Sequence, residues 1–87
     1  MSDPVSATVT TENGTIGPFF LSGKAEADVA IAVTAGTADL QRKIDEATGF
    51  VSVSTYDASQ SLVIEGAGTW QVLCTGTPNI TATFRSR

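Results

Sequence analysis

GAGTWQVLCTGTPNITATFRSR, residues 66–87, is the stretch whose reading decides the fold. Trp70, Val72 and Cys74 are apolar at every second position, with Gln71 and Thr75 among the residues between and beside them. Ile80, Ala82 and Phe84 repeat the pattern, with Thr81, Thr83 and Arg85 in the alternate places. A period of two is what a strand needs when one face is buried and the other is wet. Thr77-Pro78-Asn79 reads as the break between two strands of a hairpin, because Pro78 has no N–H for a ladder and Asn79 tolerates turn geometry. The segment holds the only tryptophan, the only cysteine and one of the four phenylalanines, so folding has to bury it.

Outward from this stretch, the chain continues in the same style. Val5-Ala7-Val9 alternates with Ser6 and Thr8 as a first strand, and Asn13-Gly14 is a turn signal. Thr15–Ser22 is an edge strand or is split in two, since Pro18 sits inside it. Phe19 and Phe20 are adjacent, so one faces in and the other out. Lys24–Val33 alternates Ala25, Ala27, Val29, Ile31 and Val33 against Lys24, Glu26 and Asp28, and Ala35-Gly36-Thr37 reads as a turn. Residues 38–45 have helix formers, with Leu40 and Ile44 at i and i+4, but hairpin patterns on both sides favour a strand with Arg42 inward, its head either snorkelling to an edge or lying on an aromatic face such as that of Trp70. Phe50–Tyr56 and Ser61–Glu65 complete the set, with Phe50, Ser52, Ser54 and Tyr56 on one face. The expectation is all-β: an antiparallel β-sandwich or small barrel of about eight short strands. It covers residues 5–87 as a single domain, behind a flexible N-terminal arm at 1–4.

Eighty-seven residues make one small domain. Surface scaling gives roughly 4,900 Å² folded against roughly 13,000 Å² unfolded, so folding hides only about 63%. Copies of itself, or a larger assembly, would add to that margin. Thirteen threonines and eight serines, with only 16% charged residues, suit a surface that packs on other proteins. Net charge is −4 and the five basic residues do not cluster, which argues against nucleic acid as a partner. The longest apolar run, near Val29–Val33, is far below the ~20 residues of a membrane helix. No basic–apolar–small leader opens the sequence, so export by a cleaved signal is not expected.

Catalysis by the common routes finds no footing. The chain has no histidine, which removes the usual general base and the commonest metal ligand. Cys74 shares a face with Trp70 and Val72 and reads as a buried apolar thiol. Asp45-Glu46 with Asp57 or Glu65 has no EF-hand spacing and reads as solvated charge beside turns. The expectation is no enzyme, no cofactor and no metal.

In order along the chain stand Leu21-Ser22-Gly23, Leu40-Gln41-Arg42, Phe50-Val51, Glu65-Gly66 and Trp70-Gln71-Val72-Leu73-Cys74. This layout resembles small β-sandwich virion proteins of tailed bacteriophages, of the decoration, cement or tail-associated type. Each motif is short, their order carries the likeness, and it covers about two-thirds of the chain. After Asp45 the chain departs from it: Glu46-Ala47-Thr48 and Phe50 stand where the layout has a Gly-rich turn and a tryptophan.

The resemblance implies a virion component assembled in the bacterial host cytoplasm, and leaves head, tail and host-binding positions open. On area grounds, a head decoration or cement protein is expected. It would form a homotrimer on the outer surface of the major capsid protein, touching its neighbours through Val5, Pro18, Phe19, Phe20, Arg85 and Arg87. The alternative is a tail- or fibre-associated adhesion module that binds glycan through Phe50 and Tyr56.

Overall fold

The computed structural model describes residues 5–22, 25–45, 47 and 49–87. The N-terminal arm proposed at 1–4 lies outside them. The described chain is all-β and antiparallel, in six strands. They are β1 (Val5–Val9), β2 (Gly14–Leu21), β3 (Glu26–Lys43), β4 (Val51–Tyr56), β5 (Gln60–Glu65) and β6 (Gly68–Ser86). The expected count of about eight short strands is corrected here. Two of the six are long, 18 residues in β3 and 19 in β6, and each joins two segments that read as separate strands.

β3 and β6 pair with each other along their lengths and form the spine of the sheet. Around them the sheet divides into two halves. In the first half, β2 pairs with residues 68–74 of β6, and β4 pairs with residues 38–42 of β3. In the second half, β1 pairs with residues 80–84 of β6, and β5 pairs with residues 26–31 of β3.

The two presumed turns are where the spine bends. The ladder between β3 and β6 shifts register on both sides of Ala35, and residues 76–78 of β6 fall in the gap. Pro78 sits there, buried, at a place that asks for no ladder donor. Gly76 and Thr77 have positive φ, 74° and 53°, and Gly36 opposite them has φ 86°. A side chain on Gly36 would lie 2.5 Å from the Thr75 carbonyl oxygen and 2.8 Å from Pro78 Cα, so glycine is required for the close approach. Seven steps of β3, from Ile31 to Ala38, run opposite eight of β6, from Ala82 to Cys74. This is a β-bulge, which bends a strand without ending it. Gly, Pro and Asn serve turns and bulges alike, which is why the sequence pattern did not separate the two.

The bend closes the inner faces of both halves on one core. Ile16, Phe19, Leu21, Leu40, Trp70, Val72 and Cys74 come from the first half. Val29, Ile31, Ile64, Ile80, Ala82 and Phe84 come from the second. The rings of Phe19 and Phe84 stack across the junction, centroids 5.2 Å apart and planes 14° from parallel. Each large apolar side chain buried in this way contributes on the order of 1.5–3 kcal/mol. The folded surface is 4973 Å², close to what scaling gives for a chain of this mass.

Candidate functional site

The six side chains expected at an interface fall in two places. Val5 begins β1 opposite Phe84 and is half-buried against the core. Arg85 is exposed on the outer face of the second half, across from Asp28. Arg87 lies on the same side, with Nη1 3.8 Å from a Glu26 carboxylate oxygen and Nε 3.2 Å from one of Asp28. Pro18, Phe19 and Phe20 belong to the first half. Pro18 is exposed within the register shift of β2 between Ile16 and Phe19. Phe20 points out and is 70% exposed. Phe19 points in, is buried, and stacks on Phe84. Its expected interface role is therefore corrected: alternation sends one ring of the pair inward, and the core takes Phe19.

The expected pairing of Phe50 with Tyr56 on one face is also corrected. β4 shifts register against β3 between Leu40 and Gln41, so that Leu40 faces Ser54 but Gln41 faces Ser52. A one-residue slip moves every following side chain to the other face. Tyr56 packs against the core. Phe50 lies under the Lys43 ammonium, with Nζ 5.0 Å from its ring centroid. Lys43 stands two residues on from Gln41, which places Phe50 by the outer face.

That outer face carries the most ordered polar constellation among the described residues. The Gln71 side-chain amide donates to Gln41 Oε1 at 2.6 Å. Gln41 Nε2 in turn donates to Asp39 Oδ2 at 2.9 Å. The other Asp39 oxygen accepts from the hydroxyls of Ser52, in a short bond, and Thr55 at 3.4 Å. Register sets this chain: Gln71 is opposite Gln41 across β6 and β3, and Asp39 opposite Thr55 across β3 and β4. One row along, Phe20 is opposite Thr69 and Thr69 opposite Lys43. Period two marks Asp39, Gln41, Thr69 and Gln71 as outward in the sequence, but nothing in the sequence aligns the strands. That alignment is the signal that was missed.

The outer face of the second half is plainer. Ser6 and Thr83 share a hydroxyl hydrogen bond of 2.9 Å, and Thr8 and Thr81 one of 2.7 Å. Ala30 and Ala32 lie across from Thr83 and Thr81.

Three further side chains hold the frame. The Glu12 carboxylate accepts the N–H groups of Gly76 and Thr77, at 2.9 and 2.8 Å, and so ties the β1–β2 turn to the bend of β6. Successive N–H groups in such a bend form a small anion-binding nest. These two bonds hold the Glu12 pKa below the usual carboxylate range. Arg42 lies over Trp70, 5.4 Å from its ring centroid, as the sequence suggested, and donates from Nε and Nη2 to the Ala67 carbonyl. Cys74 is buried as expected, and burial pushes its thiol pKa up. That disfavours the reactive thiolate.

Among the described residues, no group of three His, Cys, Asp or Glu side chains is placed to hold a metal ion. No family model, curated protein or solved structure matches the chain.

Proposed function

We propose that the chain is a non-enzymatic structural component of a tailed-phage virion, a capsid decoration protein that binds the outer surface of the head. Its partners are further copies of itself, as a homotrimer, and the major capsid protein. The observation that carries this reading is that, among the described residues, three of the five large apolar side chains left exposed stand at one edge of the sheet, the others being Phe20 on β2 and Val63 on β5. Ile44, Val51 and Val53 are 67%, 59% and 53% exposed, at the end of β3 and along the edge strand β4. The chain's own core leaves them in water, and each forgoes about 1 kcal/mol of burial. A partner surface recovers that term.

The β4 edge is bulged beside Val53, which favours docking through side chains over extension of the ladder. One modest contact repeated over a lattice gains avidity that a lone pair of molecules lacks. Low charge and hydroxyl-rich faces support the same reading.

The test is sedimentation with heads of the encoding phage assembled without this protein. The wild type is expected to pellet with them at a fixed ratio to capsid subunits. The double variant Val51→Ser, Val53→Ser is expected to bind at least ~10-fold more weakly. A wild type that stays in the supernatant at every concentration sinks the reading, and light scattering tests the trimer separately.

A further inference from the structure

The outer face of the first half is unlike that of the second; Phe20, which the sequence suggested for a subunit contact, stands on it, while the capsid reading rests on Ile44, Val51 and Val53. Phe20 is an aromatic ring with 70% of its surface in solvent, on a strand whose neighbours Phe19 and Leu21 are buried. Next to it across β6 and β3 runs the hydrogen-bonded series Gln71, Gln41, Asp39, Ser52 and Thr55. The series is directional. Each amide gives one N–H to the next member, and among the described residues its second N–H and the Gln71 carbonyl oxygen meet no partner. A carboxylate at the far end orients all of it.

We propose that this face binds a saccharide, with Phe20 as the stacking platform, Gln71 and Gln41 as the groups that meet its hydroxyls, and Asp39 as the carboxylate that orients the two amides. A sugar ring presents an apolar C–H face and a rim of hydroxyls that both donate and accept. An open aromatic ring beside pre-oriented amides answers both demands. Amides already fixed by one another lose little freedom on binding, which keeps the cost of association low. Phe50 lies under the Lys43 ammonium, in the row that also carries Phe20 and Thr69. A nucleic acid fits poorly, because the chain carries a net charge of −4. The contacts offered are few, so affinity for a single sugar unit is on the order of 1–10 mM.

The experiment is a two-dimensional NMR titration of the full chain with glucose, galactose, mannose and N-acetylglucosamine, each to about ten times that range. At least one sugar is expected to shift the side-chain amides of Gln41 and Gln71 and the ring signals of Phe20. The third glutamine, Gln60 on β5, serves as the internal control, with the backbone amides of Thr81 and Thr83. Phe20→Ala removes an exposed ring and leaves the core intact, and it is expected to weaken the titration at least ~5-fold. Gln41→Ala is expected to do the same. Three results overturn the proposal: no shift with any of the four sugars, shifts of equal size at Gln60 and the threonine face, or a titration that Phe20→Ala leaves unchanged.

Discussion

The two halves of the sheet are built on the same pair of strands, yet they present opposite surfaces. Inside, both contribute apolar side chains at period two from β3 and β6 to one core. Outside, the second half shows short hydroxyls bonded in pairs, two alanines and, at one end, Arg87 ion-paired with Glu26 and Asp28. The first half shows a ring, two amides and a carboxylate in series. The inner face is constrained by packing and so is uniform. The outer faces are free of that constraint and have diverged, which is where function has room to reside.

If the halves share one core, damage on one side must be felt on the other. Phe84→Ala is expected to cost about 3–5 kcal/mol, the largest effect here, measured by denaturant unfolding. Phe19 sits in the first half and Phe84 in the second, with their rings stacked. A double-mutant cycle between Phe19→Ala and Phe84→Ala is expected to show coupling of ~0.5–1.5 kcal/mol. Strictly additive losses would mean that the halves stand alone.

The bend that joins them is the next place to press. Gly36→Ala sets a Cβ 2.5 Å from the Thr75 carbonyl oxygen at a φ of +86°, and both offending atoms are backbone. A loss of about 2–4 kcal/mol is expected. Gly49 is the control: its φ is also positive, at +67°, but nothing lies within 4 Å of the added atom. There only the conformational strain remains, about 1 kcal/mol. Equal losses at the two glycines would remove steric closeness as the reason for Gly36.

The same bend separates what the sequence made legible from what it did not. Alternation located the strand segments nearly residue by residue, and it named Trp70, Val72, Cys74, Ile80, Ala82 and Phe84 as the buried face, all of which are buried. The inward position of Arg42 was legible for the same reason, and of the two placements it left open, an edge or an aromatic face, the chain takes the face of Trp70. The continuity of β3 and β6 was not, because Gly36 and Pro78 carry the residue chemistry of a turn. Nor was the outer constellation. Placing Gln71 beside Gln41 needs the register of segments thirty residues apart, and placing Phe50 away from Tyr56 needs a bulge at Val53. Both are set by packing after collapse, not by local preference.

The contrast between the outer faces predicts unequal costs of breaking them. Gln41→Leu removes a side chain that both donates and accepts in a series, leaving Asp39 and Gln71 short of partners. A loss of about 1–2 kcal/mol is expected. Thr81→Val keeps the shape and deletes one exposed hydroxyl bond to Thr8, for about 0.5 kcal/mol or less. Thermal unfolding of the two variants side by side checks the order. A reversed order would mean that the amide series is held in water and not on the sheet.

Glu12 offers the finest test, because it straps the turn between β1 and β2 to the bend. Its pKa in the folded chain is lowered from 4.5 by the two backbone N–H bonds. A lowered folded pKa means that the carboxylate stabilises the fold fully above the unfolded value. That contribution disappears as pH falls through the folded one. Glu12→Gln is uncharged at every pH and has one fewer acceptor, so it lacks this contribution throughout. At pH 7 the variant is expected to be slightly less stable than the wild type, and the effect is small because the group is exposed and screened. Below pH 4.5 the gap is expected to close, as the wild type alone gives up the strap. Unfolding curves for the two chains that stay parallel from pH 7 to below pH 4 would show that the charge of Glu12 does not hold the bend, and that the N–H groups of Gly76 and Thr77 are satisfied by water instead.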